Sequence, residues 1–107
     1  MAIVDLLAIL LAAVLAWAGC LNLAAPEFIR AEFKAWGFSD RFRQTVGVLE
    51  WIAAAALTIQ PLRPIGCAIA VAIMLGVLVT LVRHRQFMRL EYPLVLLALL
   101  LLVALER

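Results

Sequence analysis

The chain has 107 residues, 68% of them hydrophobic and 15% charged, with a formal charge of +2. Soluble domains are nearer half apolar, and one this small cannot hide so much Leu, Ala, Val and Ile without large exposed apolar patches. The composition therefore excludes an ordinary soluble fold and selects the lipid bilayer as solvent; the scattered cations, with no stacking aromatics beside them, leave no footprint for nucleic acid.

A hydrocarbon core of about 30 Å takes roughly 20 apolar residues per helical span. Four stretches meet that need: residues 2–24, 39–60, 64–83 and 87–105. Short connections between them predict a single all-α domain over 1–107, an antiparallel four-helix transmembrane bundle. No Lys or Arg precedes the first run, Asp5 stands where a leader carries positive charge, and Trp17 is too large for a cleavage site. The first stretch is therefore expected to be a retained span. It carries a seam of small residues, Asp5, Ala8, Ala12, Ala16 and Gly19, of the kind that lets helix backbones approach closely in lipid.

Between the first two spans, "PEFIRAEFKAWGF" places Phe28, Ile29, Phe33 and Trp36 on one face with Arg30 and Lys34 opposite. This predicts a short amphipathic helix at the membrane interface, residues 26–36. Glu32 interrupts its apolar face, either as a second buried acid above the bundle or as a carboxylate paired with a cation such as Arg41 or Arg43. Gly37 stops that segment and Ser39 caps the next.

Span two poses the central question: "VGVLEWIAAAALTIQ" sets Glu50 inside an apolar helix. Gly47, Glu50, Ala54 and Thr58 share one narrow stripe, so the carboxylate faces protein rather than lipid. A carboxylate in hydrocarbon costs at least a few kcal/mol, so it finds a partner or takes up a proton. Asn22 closes span one at the same end. On span three, Gly76, Thr80 and His84 form another stripe, and His84 is the expected partner or proton exchanger. Span four, "PLVLLALLLLVAL", is too short alone and recruits "QFMRLEY", with Arg89 and Glu91 reaching outward and Pro93 in its first turns.

Arg30, Lys34, Arg41 and Arg43 in the first loop, and Arg83, Arg85 and Arg89 in the third, outweigh Arg63 and Arg107 on the other side. The positive-inside rule then puts both termini outside, in a bacterial cytoplasmic (inner) membrane. Cys20 and Cys67 are expected to differ in depth by about 20 Å at 1.5 Å per residue, too far for a disulfide, which needs Cα atoms within about 7 Å. With one His and no CxxC, no metal site is predicted.

The order of these parts resembles the DoxX-like family of small four-helix membrane proteins. A first span ends in "GCLN", an acidic aromatic segment closes on "WGF", "GVLE" opens span two, and span three ends near a His. The likeness runs over essentially the whole chain through short motifs, of which Gly47 with Glu50 is the most telling. It implies a membrane location and, for the members after which the family is named, association with quinone-linked sulfur oxidation or oxidoreductase complexes. Family members often carry a Lys near the end of span one, where this chain has Asn22. That shifts Glu50 from an ion pair toward a protonated acid bonded to Asn22 or His84. Three functions are compatible with the sequence. The first is a non-catalytic membrane partner or accessory subunit, joined to another membrane protein or to a second copy of itself. The second is a redox-associated subunit that holds a quinone or lipid, with Glu50 and His84 handling protons. The third is an acid–base enzyme on a lipophilic substrate. The expected ligand-binding set is Asn22, Glu32, Gly47, Glu50, Trp51, Thr80 and His84.

Overall fold

A computed structural model describes residues 2–105, so Arg107, counted above in the charge balance, lies outside the described residues. The described chain is all α: α1 (Ile3–Ala24), α2 (Glu27–Ala35), α3 (Asp40–Thr58), α4 (Arg63–Arg83) and α5 (Glu91–Leu105), with short 3₁₀ turns at Gln60–Leu62 and Phe87–Arg89.

The helix ends follow from local chemistry. Ala25 takes a left-handed conformation, its N–H bonds the Leu21 carbonyl at 2.8 Å, and Pro26 then starts α2 without an N–H to satisfy. Gly37 has φ +84°, a conformation glycine adopts without strain, and lets the chain turn into α3. Ser39 caps α3, its Oγ accepting from the Phe42 N–H at 3.1 Å. At the end of α4 the Gln86 N–H reaches the Leu81 carbonyl at 2.8 Å and the Arg85 N–H reaches that of Val82 at 3.1 Å. This is a Schellman ending built on Arg85 at φ 55° where glycine is usual.

Among the described residues, three segments are long and apolar enough to cross a membrane: Ile3–Ala24, Gln60–Arg83 and Phe87–Leu105. The helix α3 falls outside that group because Asp40, Arg41 and Arg43 crowd its start and Glu50 sits at its middle. The helix α1 packs on α3, α3 on α4, α4 on α5, and α5 returns to α1; α2 lies against α3. Asp5, Arg63 and Val103 gather at one end of this ring, while Asn22, Glu50 and Tyr92 gather toward the other. The core is aliphatic, built on Leu11, Leu15, Leu57, Met74, Leu100 and Val103. The outer surface is equally apolar, with Leu10, Val48, Ile52, Leu75, Val79 and Leu101 exposed. Such an exterior is stable in lipid and a liability in water.

Glycines set the closest approaches. A methyl group on Gly19 would stand 2.9 Å from the Gly47 carbonyl oxygen, and one on Gly47 would stand 3.2 Å from that of Gly19, so α1 and α3 cross backbone to backbone. The Trp51 indole covers the crossing, its N–H donating to the Ala16 carbonyl at 3.1 Å. Gly66 brings α4 equally close to α3, where a methyl would meet the Ala53 carbonyl oxygen and the Leu57 nitrogen, each at 2.9 Å.

The stripe expected on span three points the other way. The buried face of α4 is Gly66, Cys67, Ala70, Met74 and Leu81. Gly76 lies two residues on from Met74, about 200° round the helix, and has open space where a side chain would be. Cys20 is on the outer surface and Cys67 in the core, so the two do not meet.

Two alanine substitutions test this packing. Gly66→Ala is expected to destabilise the protein by about 1–3 kcal/mol, because backbone must shift to admit the methyl. Gly76→Ala should be neutral or stabilising by up to about 1 kcal/mol, since it only improves helix propensity. Unfolding in detergent followed by circular dichroism checks the contrast, and equal effects would contradict the packing described.

Candidate functional site

Glu50 is 3% exposed and sits on the face of α3 that meets α1. One turn before it, Gly47 removes the side chain that would hold α1 away. Asn22 therefore reaches across, and its Nδ2 donates to Glu50 Oε1 at 2.5 Å. Asn22 is fixed from its other side as well. Its main-chain carbonyl is among the last four of α1 and has no acceptor role within the helix. Arg43 Nη1 donates to that carbonyl, placing a cation at the negative end of the α1 dipole.

Arg43 is itself 3% exposed. Its Nη2 lies 3.5 Å from the Asp40 carboxylate, and its Nε has no hydrogen-bond partner among the described residues. In the sequence it counts as a loop cation. Yet residues 43, 47 and 50 fall at four- and three-residue spacing, which puts Arg43 on the same stripe as Gly47 and Glu50. That spacing was the available signal.

Beside the Asn22–Glu50 pair lies a cavity of about 810 Å³, walled by all five helices and the turn before α5. Its deeper wall is apolar, with Ile73, Met74, Val77 and Leu96. Four aromatic residues, Trp17, Phe33, Trp36 and Tyr92, also line it. The helix α2 forms one side through Ile29, Glu32, Phe33 and Trp36, so the amphipathic helix turns most of its predicted apolar face to the cavity while Phe28 stays exposed.

Glu32 and Glu50 therefore border the same space. The partner of Glu32 is neither Arg41 nor Arg43. Its Oε2 meets Arg89 Nη1 at 2.8 Å, and the Arg89 guanidinium stands 5.6 Å from the centre of the Trp36 ring, within cation–π range. Arg89 was expected to reach outward from the start of span four. The turn Phe87–Arg89 instead folds it back toward α2.

The remaining predicted residues separate from this site. His84 caps α4 at the surface and its Nδ1 contacts the Thr80 carbonyl at 2.9 Å. Thr80 donates to the Gly76 carbonyl at 2.8 Å. Neither borders the cavity, because α4 turns its Met74 and Leu81 side inward. Trp51 stays at the Gly19 crossing, outside the cavity, and Gly47 acts through the approach it permits. Tyr92 borders the cavity that Glu50 also lines, in the role the sequence assigned to His84. It is the chain's only tyrosine, in "EYP", and its helix is apolar on every side, so no periodicity marked it.

At the opposite end, Arg63 is also buried. Its Nε donates to the Leu57 carbonyl at 2.9 Å and its Nη1 to Asp5 Oδ1 at 2.9 Å. Asp5, expected as part of the small-residue seam, ties the start of α1 to the start of α4.

An all-α chain with apolar spanning helices and an outer surface of the same character is an integral membrane protein. It matches the DoxX-like family over residues 6–103, and belongs to that family. No curated protein and no solved structure gives a significant match.

Asn22→Ala should remove the hydrogen bond to Glu50 and cost about 1–3 kcal/mol, the usual penalty for leaving a buried polar group unpaired. His84→Ala should leave stability unchanged, since its ring bonds only an exposed helix end. Denaturation of the two variants in the same detergent measures both, and a His84→Ala loss as large as that of Asn22→Ala would place the imidazole in the core.

Proposed function

We propose that this protein is a non-catalytic accessory subunit of the bacterial inner membrane that holds a lipophilic molecule with a polar head, the class to which quinones and lipids belong. The observation that carries this reading is the cavity of about 810 Å³ with a buried carboxylate in an otherwise largely apolar wall. Ligand sites are concave, mostly apolar and furnished with a few convergent polar groups, at volumes of about 300–1,000 Å³. The Asn22–Glu50 pair supplies the polar end and the α4 and α5 side chains supply the surface for a hydrocarbon body.

In this reading the four long helices cross the membrane as antiparallel spans, α3 among them, with α2 along one interface. Its charged first turn then lies at the headgroup level, and Glu50 and Arg43 are shielded from lipid by α1. Arg30, Lys34, Arg41, Arg83 and Arg85 all belong to the end bearing α2, which makes that end cytoplasmic by the positive-inside rule.

Purification in mild detergent followed by mass spectrometry of the extracted small molecules tests the reading. The wild type is expected to retain a lipophilic compound in near-stoichiometric amount. Ala18→Phe, which places a ring in the cavity, should lose it while remaining folded. Equal retention by both proteins would defeat the proposal.

A further inference from the structure

The charge around the cavity says more about its occupant. Among the described residues three carboxylates border it, Glu32, Glu50 and Glu91, against one cation, Arg89. This is an excess of acid in a chain whose formal charge is +2. Arg89 is taken by Glu32 at 2.8 Å. Arg43, the buried cation on the same stripe as Glu50, does not border the cavity; it donates to the Asn22 carbonyl and lies 3.5 Å from the Asp40 carboxylate. Glu50 makes no ion pair among the described residues, and its one hydrogen-bond donor is a neutral amide. Arg83, Arg85 and His84 are exposed and none of them borders the cavity.

We infer that the molecule held here is a lipophilic cation: an amine or quaternary onium group seated between Glu50 and the aromatic rings, with its apolar body against α4 and α5. The inference rests on the lipophile-binding reading and adds the sign of the head. A neutral head leaves Glu50 to its amide partner or to a proton, whereas an ionised carboxylate in a low-dielectric wall calls for a countercharge. An anionic head would meet Glu50 and Glu91, with Glu32 already paired to Arg89. A cationic head supplies the missing charge, and ring faces favour it because their quadrupoles are negative at the face. The site already shows the geometry it would use, in the guanidinium of Arg89 over Trp36 at 5.6 Å. Trp17, Phe33 and Tyr92 offer further rings within the same cavity.

The full chain in lipid nanodiscs provides the test, with empty nanodiscs subtracted. The probes are tetraphenylphosphonium and triphenylphosphine oxide, two phosphorus compounds bearing phenyl rings of which only the first is charged. Wild type is expected to bind the cation about tenfold or more tightly than the neutral probe, a difference of about 1.4 kcal/mol. Glu50→Gln keeps the size of the side chain and removes its charge, and it should abolish that preference. The wild-type comparison stands even if that variant does not fold. Equal binding of both probes to the wild type, or a cation preference that survives in folded Glu50→Gln, overturns the assignment of a cation and leaves the lipophile-binding reading intact. Failure of the wild type to bind either probe overturns both.

Discussion

The contact between Asn22 and Glu50 exists only because two helices touch at bare backbone. Gly19 and Gly47 face each other across the α1–α3 crossing, and a side chain at either position would push the helices apart. With them together, an amide at the end of one helix reaches a carboxylate one turn along the other. In lipid no hydrophobic force drives helices together, so close packing and interhelical hydrogen bonds carry the association. The same crossing therefore holds the bundle and shields the acid.

Both ends of the ring use one device. Arg43 donates to the Asn22 carbonyl at the end of α1 and lies beside Asp40; Arg63 donates to the Leu57 carbonyl near the end of α3 and pairs with Asp5. Each arginine satisfies a carbonyl that has no partner within its own helix, and sits at the negative end of that helix dipole. Each also brings a carboxylate with it. The guanidinium fork suits this double duty because its donors are several, planar and fixed in direction. Arg43 is directed at a helix end, and among the described residues Glu50 forms no ion pair.

Much of the architecture was legible because it rests on local rules. The helix limits follow from apolar runs and breakers, Ser39 and Gly37 act through their own side-chain and backbone chemistry, and the small-residue seam on α1 has to face another helix. Glu50 and Asn22 were legible together. An acid flanked at helical spacing by glycine and alanine marks a protected face, and Asn22 closes the adjacent span at the same depth. His84 was misread for a reason of the same kind. Periodicity assigns residues to a common stripe, but α4 is apolar nearly all round, and nothing in its sequence says which stripe turns inward. Tyr92 and Arg89 were invisible for the converse reason, since their roles depend on where the turn before α5 folds back.

The sequence by itself determined that this chain lives in a membrane, that it is helical throughout, and that one carboxylate must be kept from lipid. These follow from composition, spacing and the cost of charge in hydrocarbon, which do not depend on how the helices are arranged. Tertiary structure alone decided which groups surround that carboxylate, because the rotation of each helix about its axis is set by packing against its neighbours. That rotation turned the imidazole of α4 outward and set the tyrosine of α5 beside the cavity.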